Sequence, residues 1–150
     1  MTDRIAWLIT WNPHKWKWVD YADCLAESAA GRTVIRNWTC INRNVQLYER
    51  VYLEVLGQNT TRGIIASGKV RREPYCEMTW RGTLGYKIDV EFDTILQIEE
   101  ALPQAKLKDL FPETCWSTQV SGIGIKPSQT GESLEQLWAE HISIIRPCKH

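Results

Sequence analysis

The residues most suited to chemistry in this chain are its tryptophans. There are eight in 150 residues, more than the core of a domain this size ordinarily needs. An indole has a wide flat face for stacking and one N–H that wants a partner when buried. Indoles left outside the core are therefore candidates for gripping flat heterocycles. Trp11, Trp16 and Trp18 surround the turn residues Asn12-Pro13, Trp38 follows Arg36 and Asn37 at the end of an expected strand, and Trp80 stands beside Arg81 and Gly82. Aromatics in or beside turns are costly in water unless they pack on something. Trp38 and Trp80 are read as loop residues of a binding site, whereas Trp7 and Trp138 fall at core positions.

Nothing in the sequence spells a catalytic centre. It has no Gly-rich phosphate loop and no GxSxG elbow, and Gly122-Ile123-Gly124 lacks the third glycine of a nucleotide fingerprint. His14 and His141 have no nucleophile at a recognisable spacing, although triads assemble in space rather than in sequence. The five cysteines (Cys24, Cys40, Cys76, Cys115, Cys148) include no CxxC pair, and the three histidines are scattered. That usage predicts reduced thiols in a cytoplasmic protein, with no metal and no cofactor. The apolar run after Asp3 and Arg4 is broken by Thr10, Asn12 and Pro13, too short for a signal peptide or a membrane span.

Net charge is zero, but it is unevenly spread. Residues 32–72 carry eight Lys/Arg against Glu49 and Glu54, and residues 97–141 carry seven acids against three bases. Non-specific nucleic-acid coats are basic overall, because phosphate neutralisation supplies their affinity. This chain offers at most a local basic face.

Several elements must position these residues. Ile5–Trp11 reads as a strand with Trp7, Ile9 and Trp11 on one side and Ala6 and Leu8 on the other. Ala22, Leu25, Ala26 and Ala29 recur at helical spacing before a stop at Gly31. Strands follow at Val34–Trp38, at Val51–Val55 and, after a hairpin turn at Gly57-Gln58-Asn59, at Arg62–Val70, where Gly63 and Gly68 suggest a bulge or close backbone approach. A loop is expected from Arg71 to Gly85, then a half-buried strand over Tyr86–Phe92. Pro103–Phe111 reads as a short helix or turn and Val120–Ile125 as the last strand. The final helix spans about Glu132–Ile144, with a capping box at Ser133 and Gln136. About six strands with two or three peripheral helices predict an α+β domain built as a small mixed barrel, one domain over residues 1–150 with a tail or linker start at 145–150.

These blocks, taken in order, resemble the EVE family of the PUA-like superfamily. The resemblance rests on Leu8-Ile9-Thr10-Trp11-Asn12-Pro13 with Trp16 and Trp18, on Trp38, on Gly63–Val70, and on Pro74 with the Tyr86–Phe92 strand. It closes with Gln119-Val120-Ser121-Gly122-Ile123 and Leu134–Trp138. One departure is Glu49-Arg50, where many members have Gly-Asp. Relatives include the YTH readers of methylated RNA, so the resemblance implies a PUA-like barrel whose mouth takes one extruded modified base into an aromatic cage. It implies base contacts from Trp38, Trp80, Trp11, Asn12, Trp16, Tyr75, Gln119 and Ser121. Phosphate contacts would come from Arg36, Arg43, Lys69, Arg71, Arg72 and Arg81, which lie near the proposed pocket strands in sequence.

The expected function is non-catalytic reading of a methylated or hydroxymethylated base in DNA, in a methylation-dependent restriction or defence system beside a McrB-type motor or HNH nuclease. The alternatives are a reader of modified RNA, separated by a 2′-OH contact, and a small-molecule enzyme using the same cavity.

Overall fold

The computed structural model describes residues 5–57, 62–79 and 81–147. The expected Gln58-Asn59 turn, Trp80, Cys148 and the end of the proposed tail lie outside them. Seven strands are present among the described residues: β1 (Ala6–Trp11), β2 (Val34–Thr39), β3 (Arg50–Val55), β4 (Gly63–Met78), β5 (Leu84–Ile95), β6 (Leu102–Pro103) and β7 (Ile123–Gly124). They form one mixed sheet in the order β2-β5-β4-β3-β1-β7, with β6 paired to β4. β1 runs parallel to β3 and antiparallel to β7.

Helices α1 (Tyr21–Ala29), α2 (Gln104–Leu110) and α3 (Thr130–Ile145) complete the fold. Alternation along β1 divides the core as its sequence requires. Trp7, Ile9 and Trp11 join a cluster with Cys24 of α1, while Ala6 and Leu8 join Leu107 of α2 and Leu134 and Trp138 of α3. The sheet is thus covered on both faces. None of the described helices is long and apolar enough to cross a membrane.

The architecture is α+β, but the expected barrel does not close. Strand β2 lies at one edge and the two-residue β7 at the other. The two edges approach at one end only, where the Ile41 N–H donates to the Ser121 carbonyl at 2.9 Å and the Ser121 hydroxyl donates to the Thr39 carbonyl at 2.7 Å. The expected strand Val120–Ile125 shrinks to β7 because Gly122, at φ +101°, turns the chain. A Cβ there would sit 2.6 Å from Cys40 Sγ, so the close approach needs glycine.

Three other expectations shift. The stretch 71–85 is no loop: β4 runs on to Met78 and β5 begins at Leu84, making a long ribbon with register shifts between Val70 and Arg72 and between Arg72 and Tyr75. The buried residues of α1 are Cys24 and Ser28, with Tyr21 and Leu25 packed alongside; Ala22, Ala26 and Ala29 face water. The stripe has the expected spacing rotated by one residue, because a small Cys and Ser fit against the sheet where alanine was anticipated. Helix α3 starts at Thr130, a turn before the proposed box at Ser133, and has no side-chain cap. Gly63 and Gly68 do mark close approaches: a Cβ would meet the Leu102 carbonyl oxygen at 2.0 Å and the Glu91 carbonyl oxygen at 2.4 Å.

Candidate functional site

The end of the sheet where its edges nearly meet holds a cavity of about 360 Å³. Its floor and walls come from chain segments far apart in sequence. The end of β1 and the following turn contribute Thr10, Asn12, Lys15 and Trp16, and β2 contributes Trp38 and Thr39. Gln119, Val120 and Ser121 approach from the segment before β7, and Thr79, Arg81, Thr83, Gly85 and Tyr86 from the tip of the β4–β5 ribbon. Ile41 and Leu56 add apolar surface. Among the described residues, two cations line this cavity and no carboxylate does. A second cavity of about 200 Å³ shares Trp16, Trp38 and Thr39 with it and adds Lys17, Arg36 and Lys87.

Ser121 is the brace of the floor. Its hydroxyl donates to the Thr39 carbonyl and accepts from the buried Thr10 N–H at 3.1 Å, tying β1 to β2 through one atom. Asn12 shapes the next wall: its side-chain oxygen accepts the His14 N–H at 3.0 Å and its carbonyl accepts the Lys15 N–H at 3.0 Å. That Asx-turn presents Lys15 and Trp16 at the rim.

The tryptophans sort by what their N–H groups reach. Trp7 donates to Glu49, Trp11 to the Trp16 carbonyl, Trp18 to Asp20 and Trp38 to the Thr10 carbonyl at 2.9 Å. Trp116 donates to the Phe111 carbonyl and Trp138 to Ser67. Trp16 has no such bond among the described residues, is half-buried, and lines both cavities. Its ring meets Trp38 at 5.2 Å between centroids, edge to face. Sequence reasoning undervalued it because nothing local separates Trp16 from Trp18, which is 6% exposed and buried against Trp38 and Phe92.

Trp38 is not a loop residue. It is the fifth residue of β2, 4% exposed, and packs on Trp16, Trp18 and Phe92 while one side reaches the cavity. Trp11 is buried behind Trp16 and does not line the cavity. Tyr75 also lies elsewhere, its hydroxyl donating to Asp89 at 2.5 Å and its ring covered by Arg72 at 3.7 Å. Burial and that carboxylate push the Tyr75 phenol well above its ordinary range. Trp80 lies outside the described residues; its chain neighbours Thr79 and Arg81 both line the cavity.

The basic candidates separate likewise. Arg81 lines the main cavity, and Arg43 stacks over Tyr86 at 5.2 Å beside it. Arg36 lines the smaller cavity but is held by Asp20, whose carboxyl it keeps below the usual range. Lys69, Arg71 and Arg72 sit along β4 away from both cavities, Arg71 paired with Glu91 at 3.3 Å. The basic run at 32–72 is thus offset by acids outside it: Arg32 meets nearby Glu27, and Arg50 meets Asp93 and Glu135, both remote in sequence. The Glu49-Arg50 departure is structural, since Glu49 accepts from Trp7 and Arg50 ties β3 to α3. Lys15, Thr39 and Tyr86, absent from the expected site, join it through chain folding.

No protein-family model matches the sequence, and no curated protein sequence matches it. Similar folds occur among solved structures. Protein Atu2648 from Agrobacterium tumefaciens is similar at a TM-score of 0.55 with 14% identity, over 88% of this chain and 92% of that one. Human THYN1 protein, solved in complex with DNA containing 5-methylcytosine, is similar at 0.52 with 13% identity, over 88% of this chain and 96% of that one. The likeness is one of fold.

Proposed function

We propose that this protein is a non-catalytic reader that takes one modified base of DNA into the cavity at the open end of its sheet. The observation that carries the reading is convergence: Asn12, Trp16, Trp38, Gln119, Ser121 and Arg81, drawn from four separate segments, surround one space of about 360 Å³. That volume suits a small flat ligand, within the roughly 300–1,000 Å³ usual for ligand sites. The human structural neighbour's complex with 5-methylcytosine DNA makes a methylated base the first ligand to try.

The roles follow from what each side chain has left to give. Trp16 supplies a partly open ring and an N–H without a partner among the described residues, and Trp38 backs it from the core. Extruding a base costs a few kcal/mol, and stacking returns about 1–3 kcal/mol per aromatic contact. Lys15 and Arg81 line the cavity where the flanking phosphates would lie. Ile41, Leu56 and Val120 offer apolar surface to a methyl group, worth about 0.8 kcal/mol and so only about fourfold in affinity. Further selectivity must come from edge hydrogen bonds through the Asn12 and Gln119 amides, which go unpaired with the wrong base. Trp80 is the remaining sequence-derived aromatic candidate, and its alanine variant tests that assignment directly.

The test is a fluorescence-polarisation competition among matched oligonucleotides. These carry 5-methylcytosine, 5-hydroxymethylcytosine, N6-methyladenine or no modification, each as duplex DNA, single-stranded DNA and RNA. A preference of at least about fourfold for one modified DNA is expected. Equal competition by the unmodified strand removes the proposal, and a preference confined to RNA transfers it to the other polymer.

A further inference from the structure

The smaller cavity, of about 200 Å³, has no part in the base contacts described above. A whole ligand usually occupies roughly 300–1,000 Å³, so this space suits one group of something larger. It adjoins the main cavity, because Trp16, Trp38 and Thr39 line both. Its other walls include Lys17 and Asp20 from the chain after Trp16, Arg36 and Asn37 from β2, and Lys87 of β5, which stands opposite Thr39.

Among the described residues, three cations and one carboxylate line this space. The carboxylate is already committed. Asp20 accepts from Arg36 Nε at 2.9 Å and from the Trp18 N–H at 3.0 Å, and Arg36 Nη1 donates to the Ile35 carbonyl at 2.7 Å. Arg36 and Asp20 therefore form a fixed pair without net charge. Lys17, exposed, and Lys87, half-buried, remain, neither with a carboxylate partner among the described residues. The Lys87 ammonium reaches the Asn37 side-chain oxygen at 3.5 Å, which keeps it at the edge of the space. Asp89, opposite Asn37 on β5, accepts from the Tyr75 hydroxyl and does not line the cavity. A cleft bordered by one sign of charge concentrates the opposite sign, so two ammonium groups here make a seat for an anion.

We infer that the smaller cavity seats a backbone phosphate of the strand whose base fills the main one, with the anion between the Lys17 and Lys87 ammonium groups. The inference rests on the base-reading function above and adds the path of the strand, past Trp16 toward the β2 edge. A nucleotide within a strand has a phosphate on either side, and the two adjoining spaces hold one base and one of those phosphates. Arg36 serves by neutralising Asp20, which would otherwise repel the anion. Such a contact fixes the strand's position without reading its sequence. The main cavity takes the base; the smaller one sets its approach.

The experiment compares wild type with Lys17→Gln/Lys87→Gln on the modified DNA that wild type prefers, across a series of salt concentrations. In matched strands the linkage on the 5′ or the 3′ side of the modified base is a neutral methylphosphonate. The double variant should bind more weakly, and its plot of log affinity against log salt should be shallower by about 1, the share of one phosphate. One of the two neutral linkages should produce the same change in wild type and no further change in the variant. If both linkages weaken variant and wild type equally, the lysines act only as distant charge and the seat is overturned. Affinity and slope equal to wild type also overturn it while leaving base reading intact. Lys17 is exposed, so Lys17→Gln alone carries the comparison if the double variant unfolds. Displacement of the DNA by millimolar inorganic phosphate, against chloride at equal ionic strength, assigns the space to a free anion and overturns the strand path. If wild type prefers no modified strand, base reading fails and the phosphate seat falls with it.

Discussion

Removing Trp38 and removing Trp16 should have opposite signatures, although both rings line the same cavity. Trp38 is 4% exposed, meets Trp16, Trp18 and Phe92 at 5.2, 4.9 and 5.7 Å, and satisfies the Thr10 carbonyl at 2.9 Å. Trp38→Ala leaves a cavity among aromatics and orphans a buried acceptor. Large aromatic truncations in cores cost about 3–5 kcal/mol, and an unpartnered buried acceptor costs about 1–3 kcal/mol, contributions that overlap. Against a typical total of about 5–15 kcal/mol, the variant should be severely weakened or unfolded at 25 °C. Trp16 is half-buried with no indole hydrogen bond among the described residues. Its alanine variant should stay folded within about 1 kcal/mol and lose about 1–3 kcal/mol of stacking, roughly five- to 150-fold in affinity. Urea denaturation followed by far-UV circular dichroism gives the stabilities, and the polarisation assay gives the affinities. A Trp38→Ala protein with an unchanged urea midpoint, or a Trp16→Ala protein that unfolds, would refute the division of labour between these rings.

Two further outcomes concern the opposite face of the sheet. Glu54 is fully buried, with one carboxylate oxygen accepting from Gln104 at 3.2 Å and the other lacking a partner among the described residues; burial pushes its carboxyl up from 4.5 to about 7. The native state therefore holds a proton that the unfolded chain releases. Stability should fall as pH rises from about 4.5 to about 7, by at most about 3 kcal/mol at about 1.4 kcal/mol per unit. Glu54→Gln should remove that slope in a pH series of urea melts, and parallel curves for variant and wild type count against it. Trp138→Ala should lower stability by about 3–5 kcal/mol, because the ring is 1% exposed and donates to Ser67 at 2.8 Å; an unmoved melting temperature contradicts its core placement.

Local pattern carried much of the fold. Trp7, Ile9 and Trp11 against Ala6 and Leu8 announce a strand covered on both sides, and Leu134 with Trp138 announces the face of α3, because side-chain period is a property of neighbouring residues. The candidate site was half legible: Trp16, Trp38 and Arg81 stand out by type and neighbourhood, Asn12, Gln119 and Ser121 enter only through the family resemblance, and all six line one cavity. Tertiary structure decided the rest. Whether an indole is core or rim depends on what covers it, so Trp11 and Trp16 differ although both flank one turn. Ion pairs that offset the basic run, such as Arg50 with Glu135, join residues with no local relation. The barrel stays open because Ser121 reaches Thr39 and Ile41 only at the end of the sheet. That contact spans some eighty residues, a separation at which no short-range periodicity operates.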